Sequence, residues 1–430
     1  AQNLSLSSTG AGAGVSFAGN VGSVTALTSL VVTGPTLVRG NITTTGSQTY
    51  NSDITVATSS IFEITGTTGI MTLQNVTDAI TTGSLSFISA STAANSMVLA
   101  AGKTINGNGG SILIQAGKLS LSGAAQKITS VGGTLTIRPN TASTTIGIDG
   151  GVGVWTLPTV SFWNGASAGA QVFQEGFSMI TVGSATGSGL INVGATGSVF
   201  TYLSPLTVQS SGTVNVAGTI NYSGGILTTG ALNLIAATKI AFASGTTIAP
   251  TGSDKLDITL KSATLDLSTG VTSLITMNGG GGNIAIISDT SLTPAAATYN
   301  TTYDRIYSAG GVLTIAPYSP SNTIGVGVVG KTLNITAAML AGTDSIFGNG
   351  GKFSGFARPK PAAAAAPLES EKDKQLLAFL AVGVFVCWQL FPDLSTLFER
   401  ARAQPELARL LTLGQGQSAA YGQWFAMTLL

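Results

Sequence analysis

Short runs of alternating apolar and polar residues fill the chain from Ala1 to about Lys352, and clusters of Gly, Asn, Ser or Thr separate these runs. Strict alternation places the apolar side chains of a run on one face, which is typical of short β-strands. No segment before Lys352 keeps a helical period, which disfavours a doubly wound α/β fold. Examples of the alternating runs are Leu135–Ile137, Val214–Val216, Leu232–Leu234, Leu256–Leu260, Leu265–Leu267 and Leu333–Ile335.

The spacing of these runs indicates a repeat. Val214, Leu232 and Leu256 begin three of them, and their spacing is within or near the roughly 20 to 45 residues of solenoid repeats. Short strands with one apolar face cannot bury it alone, whereas stacked coils build one continuous core. We therefore predict an all-β parallel β-helix (solenoid) over residues 1–352, with about 20 residues per coil and a length of roughly 85 Å. A chain of β-sandwich domains is the competing all-β hypothesis.

Two segments of the chain are duplicated. Residues 132–139 read GGTLTIRP, and residues 310–317 read GGVLTIAP. Upstream of each copy stands a second match, GGSILI at 109–114 and GGNIAI at 281–286, so the two pairs follow the same order at a similar spacing. The solenoid therefore contains at least two similar modules, and we expect Leu135, Ile137, Leu313 and Ile315 to point into its core.

The pattern changes beyond Lys352. Residues 353–368 are rich in Pro and Ala and predict a semi-rigid linker. Residues 369–430 predict a short hydrophobic α-helical tail, whose apolar stretch from Leu376 to Phe391 is just shorter than the roughly 17 to 25 residues of a membrane-spanning helix. A membrane anchor and an element of protein assembly both remain open. The residues predicted to make either contact are Leu376, Leu377, Phe379, Leu380, Val382, Val384, Phe385, Val386, Trp388, Leu390, Phe391, Trp424 and Phe425.

Composition restricts the chemistry. Charged residues make up only 8% of the chain, and 18 basic residues nearly balance 17 acidic ones, so no positive field points to nucleic acid as a partner. The chain has no histidine, and its single cysteine, Cys387, cannot form a disulfide within the chain. We therefore predict no catalytic residues, no cofactor and no metal site, and a protein that is not an enzyme. The absence of an initiator Met at Ala1 suggests a mature exported chain.

Three groups of residues carry the remaining candidate chemistry. Asp254, Lys255 and Asp257, with Lys261 and Asp266 nearby, could line a groove for sugar cleavage, although solvated charges on strand faces are the simpler interpretation. Gly-rich segments at 150–153 and 279–282 lack the aspartates of calcium-binding repeats, so we expect turns there.

The third group is aromatic. The neighbourhood of Trp155 and Trp163 is the best candidate for an aromatic binding patch. Local filling of the core, where the solenoid widens, is the simpler interpretation of these two side chains.

Residues 24–30 (VTALTSL) and 43–51 (TTTGSQTYN), with the Leu-Thr-Ile-x-Pro and Thr-Ile-Gly modules, resemble the repeats of filamentous-haemagglutinin-like bacterial exoproteins. The resemblance implies a right-handed parallel β-helix, export from a Gram-negative cell, and a role in adhesion, matrix or surface filaments. It covers the region up to Lys352. The chain departs from the family in lacking a clear Asn-Pro-Asn motif near Ala1, and the tail does not belong to the family pattern.

These observations together predict a non-enzymatic structural subunit of an extracellular bacterial surface layer, sheath or filament. The predicted partners are copies of the chain itself, with a membrane or other envelope proteins as further partners. The predicted location is the cell surface or the exterior of a Gram-negative bacterium. An adhesin is the first alternative, and a polysaccharide-active β-helix enzyme is the second.

Overall fold

A computed structural model describes residues 2–10, 12–121, 125–157, 163, 171–224, 227–267, 275–290, 305–326, 331, 333–335 and 355–357. The chain divides into two compact units, Ala1–Arg358 and Pro359–Leu430, and all the described residues belong to the first. These residues form 35 β-strands and no helix. The predicted helical tail, and the predicted linker from residue 358 onward, lie outside the described residues.

The strands of the first half of the solenoid are β1 (Asn3–Ser7), β2 (Val15–Phe17), β3 (Ser29–Thr33), β4 (Thr36–Val38), β5 (Ile42–Thr44), β6 (Gln48–Tyr50), β7 (Ile54–Val56), β8 (Ser60–Ile64), β9 (Met71–Leu73), β10 (Val76–Asp78), β11 (Ser84–Ser89), β12 (Met97–Leu99), β13 (Thr104–Asn106), β14 (Ser111–Ala116), β15 (Leu119–Ser120), β16 (Lys127–Thr129) and β17 (Thr134–Pro139).

The strands of the second half are β18 (Ile146–Ile148), β19 (Trp155–Leu157), β20 (Met179–Ser184), β21 (Ile191–Val193), β22 (Val199–Tyr202), β23 (Leu206–Ser210), β24 (Thr213–Val216), β25 (Thr219–Tyr222), β26 (Thr229–Phe242), β27 (Thr247–Pro250), β28 (Lys255–Asp266), β29 (Thr276–Asn278), β30 (Ile284–Ser288), β31 (Arg305–Tyr307), β32 (Val312–Ala316), β33 (Ile324–Val326), β34 (Leu333–Ile335) and β35 (Gly355–Ala357). Strand β35 pairs with β32 although it lies within the range predicted as linker.

The chain winds through successive coils that each contribute a strand to three faces. Strands β3, β4 and β5 form one coil, and β6, β7 and β8 form the next one below it. Every strand pairing among the described residues is parallel, from β1 with β3 to β32 with β35. The parallel β-solenoid is therefore confirmed, and the alternative of β-sandwich domains, which are built from antiparallel sheets, is wrong.

One face runs the length of the solenoid, and we call it the central face. Its strands are β5, β8, β11, β14, β17, β20, β23, the first part of β26, the first part of β28, β30 and β32. On each strand one inward residue stacks on the next, and this row defines about eleven turns. The row is Ile42, Phe62, Phe87, Ile114, Ile137, Val182, Val208, Leu234, Leu260, Ile286 and Ile315.

The coil length differs from the prediction. Stacked partners such as Thr207 and Asn233 are 26 residues apart, and this step is repeated from Val182 to Ile286, so the predicted coil is too short for this region. Leu232 stacks on Leu206 and Val214 on Ile240, so the spacing from Val214 to Leu232 joined strands of different faces. Eleven coils at about 4.8 Å each span roughly 50 Å, less than the predicted length.

A single hydrophobic core follows the inward rows from Phe17 to Ile335. The four residues expected to point inward do so: Leu135, Ile137 and Leu313 are fully buried, and Ile315 is 7% exposed. Burying apolar surface is the main favourable term in folding. Because each coil presents its apolar row to the coils above and below, no coil completes its core alone.

The duplicated Gly-Gly motif is the turn that leads into the central face. Gly132 and Gly310 have φ of 79° and 83°, a conformation that glycine adopts without steric cost. In the second glycine of each motif an added Cβ would collide with the carbonyl oxygen of the coil above, that of Gly110 for Gly133 and that of Gly282 for Gly311. The two duplicated copies therefore occupy equivalent turns, one in each half of the solenoid.

Candidate functional site

The predicted membrane or assembly residues, from Leu376 to Phe391 together with Trp424 and Phe425, lie outside the described residues. Their role stays a prediction. Within the described part of the chain, no helix is long and apolar enough to cross a membrane.

Trp155 and Trp163 do not form a surface patch. They are 1% and 2% exposed, and Trp163 packs edge-on against Phe173 and Phe200 with ring centroids 4.9 Å and 5.3 Å apart. The contacts continue from Phe200 to Tyr202 and Tyr222, which gives a buried aromatic column. The hypothesis of an aromatic binding patch is therefore wrong for these two tryptophans, and the alternative of core filling holds.

The hydroxyl groups of two tyrosines are the polar ends of this column. The hydroxyl of Tyr222 donates a hydrogen bond to the carbonyl oxygen of Leu227 at 2.5 Å. Burial, with the nearby charges of Asp254 and Glu175, raises the pKa of Tyr222 to about 12, and burial beside Tyr222 raises the pKa of Tyr202 well above its usual value. Both phenols therefore stay protonated at neutral pH.

Three aspartates in and next to strand β28 each bond to a different part of the solenoid. The carboxylate of Asp254 accepts a hydrogen bond from the backbone N–H of Gly224, and that of Asp257 accepts one from the N–H of Asn283 at 2.6 Å. Asp266 pairs with Lys239 at 2.6 Å. The expectation of outward charges on strand β28 is confirmed, and their bonds tie neighbouring coils together.

The Gly-rich segments are turns, as expected. Gly150, Gly280 and Gly281 have φ of 85°, 57° and 99°, which permits the tight change of direction. Among the described residues, no group of three or more His, Cys, Asp or Glu side chains is placed to hold a metal ion.

A polar pocket of about 220 Å³ opens on the central face, where the regular stacking of coils is interrupted. Strands β14, β17, β20 and β23 line it at their carboxyl ends, together with Ile146 of β18, Ile191 of β21 and turn residues within 140–144 and 186–189. At this level the coil takes 45 residues, the separation of the stacked Gly133 and Ser178, far more than its neighbours take. The pocket lies beside this long coil.

The outward side chains at the pocket follow the register of the central face. Gln115 stacks on Arg138, and Gly183 stacks on Gln209. The pairing of β17 with β20 ends at Ile137 and Val182, so Arg138 and Gly183 each follow the last stacked pair at this level. Gly183 contributes only backbone to the pocket lining.

The turn that borders the pocket is held by serines at the end of the central-face strands. The hydroxyl oxygen of Ser184 accepts a hydrogen bond from the N–H of Thr186, and that of Ser210 accepts one from the N–H of Gly212. Such bonds let a hydroxyl side chain replace a backbone partner in a turn. The Ser210 hydroxyl also donates to the carbonyls of Gly187 and Gly189, which fixes the rim.

The chain matches no protein-family model, no curated protein and no solved structure. The resemblance to filamentous-haemagglutinin-like exoproteins therefore stays a prediction, and the functional argument depends on the geometry of the solenoid.

Sequence reasoning did not find the pocket. Arg138 and Gln115 are separated by a whole coil, and Gln209 lies farther still along the chain, so no local motif joins them. The one available signal was the single arginine in a strand of the duplicated module, where the second copy has Ala316 at the same place. Only the register of the coils shows that the three side chains line one pocket.

Proposed function

We propose that the protein is a non-enzymatic structural subunit of an extracellular bacterial surface layer, sheath or filament. In this role the solenoid is a stiff rod, and its partners are further copies of the chain. The continuous hydrophobic core from Phe17 to Ile335 supports the stiffness, since bending would separate stacked coils and expose apolar surface. The proposal includes a right-handed coil, as the family resemblance implies, on the surface of a Gram-negative cell.

The observation that carries the proposal is the uncharged edge of the first coil. Among the described residues, β1 pairs only with β3, and in this proposal its other edge pairs with a strand of a further copy. Leu4 and Leu6 point toward the core but are only half-buried. The first charged residue in the chain is Arg39. Natural sheets usually protect such edges with charges, prolines or bulges, and an unprotected edge is a template for pairing with another strand.

The tail completes the proposal. We propose that residues 369–430 pack against neighbouring copies, since several apolar patches from Leu394 to Leu430 exceed what a simple anchor needs. A membrane-spanning anchor at Leu376–Phe391 is the alternative. Deleting Leu368–Leu430 separates the two: loss of assembly supports the packing role, whereas retained assembly with loss from the membrane fraction contradicts it.

The edge is tested by placing charges on β1. In the variant Leu4→Lys/Leu6→Lys, two lysines point toward the core at the open edge, and we expect assembly to be lost because pairing would bury both charges. The matched control Ser5→Lys/Ser7→Lys places the same charges on the outward face of the same strand and should still assemble. Electron microscopy and sedimentation velocity measure assembly, and circular dichroism checks that each variant is folded.

Equal assembly of the inward and outward variants would overturn the role of the edge. Release of reducing ends from a panel of acidic polysaccharides by the wild-type protein would contradict the non-enzymatic part of the proposal.

A further inference from the structure

We infer that the pocket at Arg138 binds a carboxylate-bearing sugar unit of an acidic polysaccharide. This inference goes beyond the proposed structural role and does not depend on it, since the pocket lies on the central face and the assembly edge lies on the first coil.

The guanidinium of Arg138 is held in place by a hydrogen bond, and no described carboxylate forms an ion pair with it. Its Nε donates a hydrogen bond to Oε1 of Gln115 at 2.9 Å, which fixes the plane of the group. The two ion pairs found among the described residues are Lys103 with Asp53 and Lys239 with Asp266, so no described carboxylate pairs with Arg138. An arginine side chain presents five N–H donors and no acceptor. Its terminal N–H groups are therefore free to bind an anion.

A planar guanidinium favours a planar carboxylate. The two terminal nitrogens can donate two parallel hydrogen bonds to the two carboxylate oxygens, which gives both strength and orientation. Lysine would supply the charge without the paired geometry. The ligand chemistry that this arrangement fits best is a carboxylate held at a set angle to the strand.

The rest of the pocket fits the hydroxyl groups of a sugar. Gln209 and Thr144 line the pocket, and neither side chain forms a hydrogen bond with another described side chain. Gln209 lies two levels from Arg138, about 10 Å along the axis, so an anion at Arg138 and a hydroxyl at Gln209 can belong to one ring or to adjacent rings. Amide and hydroxyl groups both donate and accept hydrogen bonds, as sugar hydroxyls do.

The size of the pocket limits the ligand. Its volume of about 220 Å³ is smaller than the roughly 300–1,000 Å³ of pockets that enclose drug-sized ligands. One monosaccharide unit fits, and the remaining units of a chain would extend over the outward face. Gly183 has φ of 88°, and an added Cβ there would collide with the carbonyl oxygen of Gln209 and with the side chain of Ile191, so this position of the pocket lining requires glycine.

Isothermal titration calorimetry with the full chain tests the inference, with trigalacturonate as the probe. We expect saturable binding of trigalacturonate and no binding of the neutral trisaccharide maltotriose. The variant Arg138→Gln should weaken binding by about tenfold or more, the loss expected for a charge-assisted pair. The affinity of Arg138→Lys for trigalacturonate should lie between those of wild type and Arg138→Gln, because lysine keeps the charge and loses the paired geometry.

Lys261→Gln is the matched control, since Lys261 is an exposed cation in the same outward row of the central face and does not line the pocket. We expect its affinity to stay within about twofold of wild type, as for a surface charge. Equal affinity of Arg138→Gln and wild type would overturn the site. Acetate binding as tight as trigalacturonate would overturn the sugar part of the inference, and so would binding of maltotriose. Loss of assembly in the β1 variants would leave all of these titrations unchanged.

Discussion

The two halves of the solenoid share the central face, but their coils differ in how regular their lengths are. Between Ile42 and Ile137 the step from one stacked partner to the next changes with every coil. From Val182 to Ile286 every step is 26 residues, as between Thr207 and Asn233. The inward row is buried in both halves. The comparison shows that the stacking of the face is fixed and that differences in coil length are taken up by the turns.

The strands of the other faces show the same difference. In the first half these strands are mostly three residues long, as in β4, β7 and β10. In the second half β26 and β28 continue through a corner, with a register shift between Ala236 and Lys239. The long coil between Ile137 and Val182 joins the two halves. The aromatic column begins in this coil at Trp163 and Phe173, and the Arg138 pocket lies beside the coil. The candidate site is thus a product of the junction.

The largest effect on folding is expected from a deletion in the regular half that shifts the register of the strands, compared with one that removes a whole coil. Deleting residues 209–234 removes a whole coil and joins Val208 to Ile235, which keeps inward residues inward, so we expect a folded protein with a lower melting temperature. Deleting residues 209–233 leaves Leu234 in place and should prevent folding, because a slip of a single position turns the inward row outward. Circular dichroism during heating distinguishes the two. Equal stability of both deletions would show that the turns absorb a register shift.

A charge in the inward row should destabilise both halves of the solenoid by similar amounts, nearly as much as the loss of register does. We expect Ile137→Asp and Leu234→Asp to lower the free energy of unfolding by about 4 kcal/mol or more, because both side chains are fully buried and a carboxylate there has no partner. Thr136→Asp, on the outward side of β17, is the control and should change stability little. Urea titration provides the measurement. A much smaller loss at Leu234 would mean that the regular half tolerates a defect.

The Gly-Gly turn should be more sensitive at its second glycine than at its first. Gly133→Ala puts a methyl group against the carbonyl of Gly110, and we expect a loss of about 3 kcal/mol. Gly132→Ala has no atom near the new Cβ but keeps φ at 79°, and a loss of about 1 kcal/mol is expected. Gly311→Ala and Gly310→Ala repeat the comparison in the second half. The reverse order of the two losses would contradict the stacking of the turns.

Replacing either of two aspartates should change the free energy of unfolding slightly at neutral pH, with opposite signs at the two positions. Burial raises the pKa of Asp78, whose Oδ1 accepts a hydrogen bond from the N–H of Ile80. Its stabilising effect is therefore present below about pH 4 and is lost as the pH rises through the raised pKa. Asp78→Asn should increase the free energy of unfolding at neutral pH, and the gain should disappear below about pH 4.

Asp289 behaves in the opposite way. Burial alone would raise its pKa, but hydrogen bonds from Ser319, Asn322 and Tyr318 outweigh burial and lower it. Its contribution is present at neutral pH and is lost as the pH falls through the lowered pKa. Asp289→Asn should therefore destabilise the protein at neutral pH only. Urea titrations of both variants at about pH 3 and pH 7 measure the signs, and a shared sign would refute one of the two assignments.

Much of the fold could be predicted from the sequence. Alternation in Leu135–Ile137 and Leu256–Leu260 predicted strands with inward leucines and isoleucines, and both are confirmed in β17 and β28. The duplicated Gly-Gly motif indicated equivalent turns. The coil length could not be obtained from neighbouring strands such as Val214 and Leu232, because strands that follow one another in the chain belong to different faces.

The sequence by itself determined the strand pattern, the stacking of coils and the identity of the inward residues. These follow from local alternation and from the need of each coil to cover its apolar row. The tertiary structure alone decided that Gln115 stacks on Arg138, that Gly183 stacks on Gln209, and that these two pairs line one pocket. The physical reason is that stacked residues are separated by a whole coil, and the length of each coil is set by turns whose size only packing fixes.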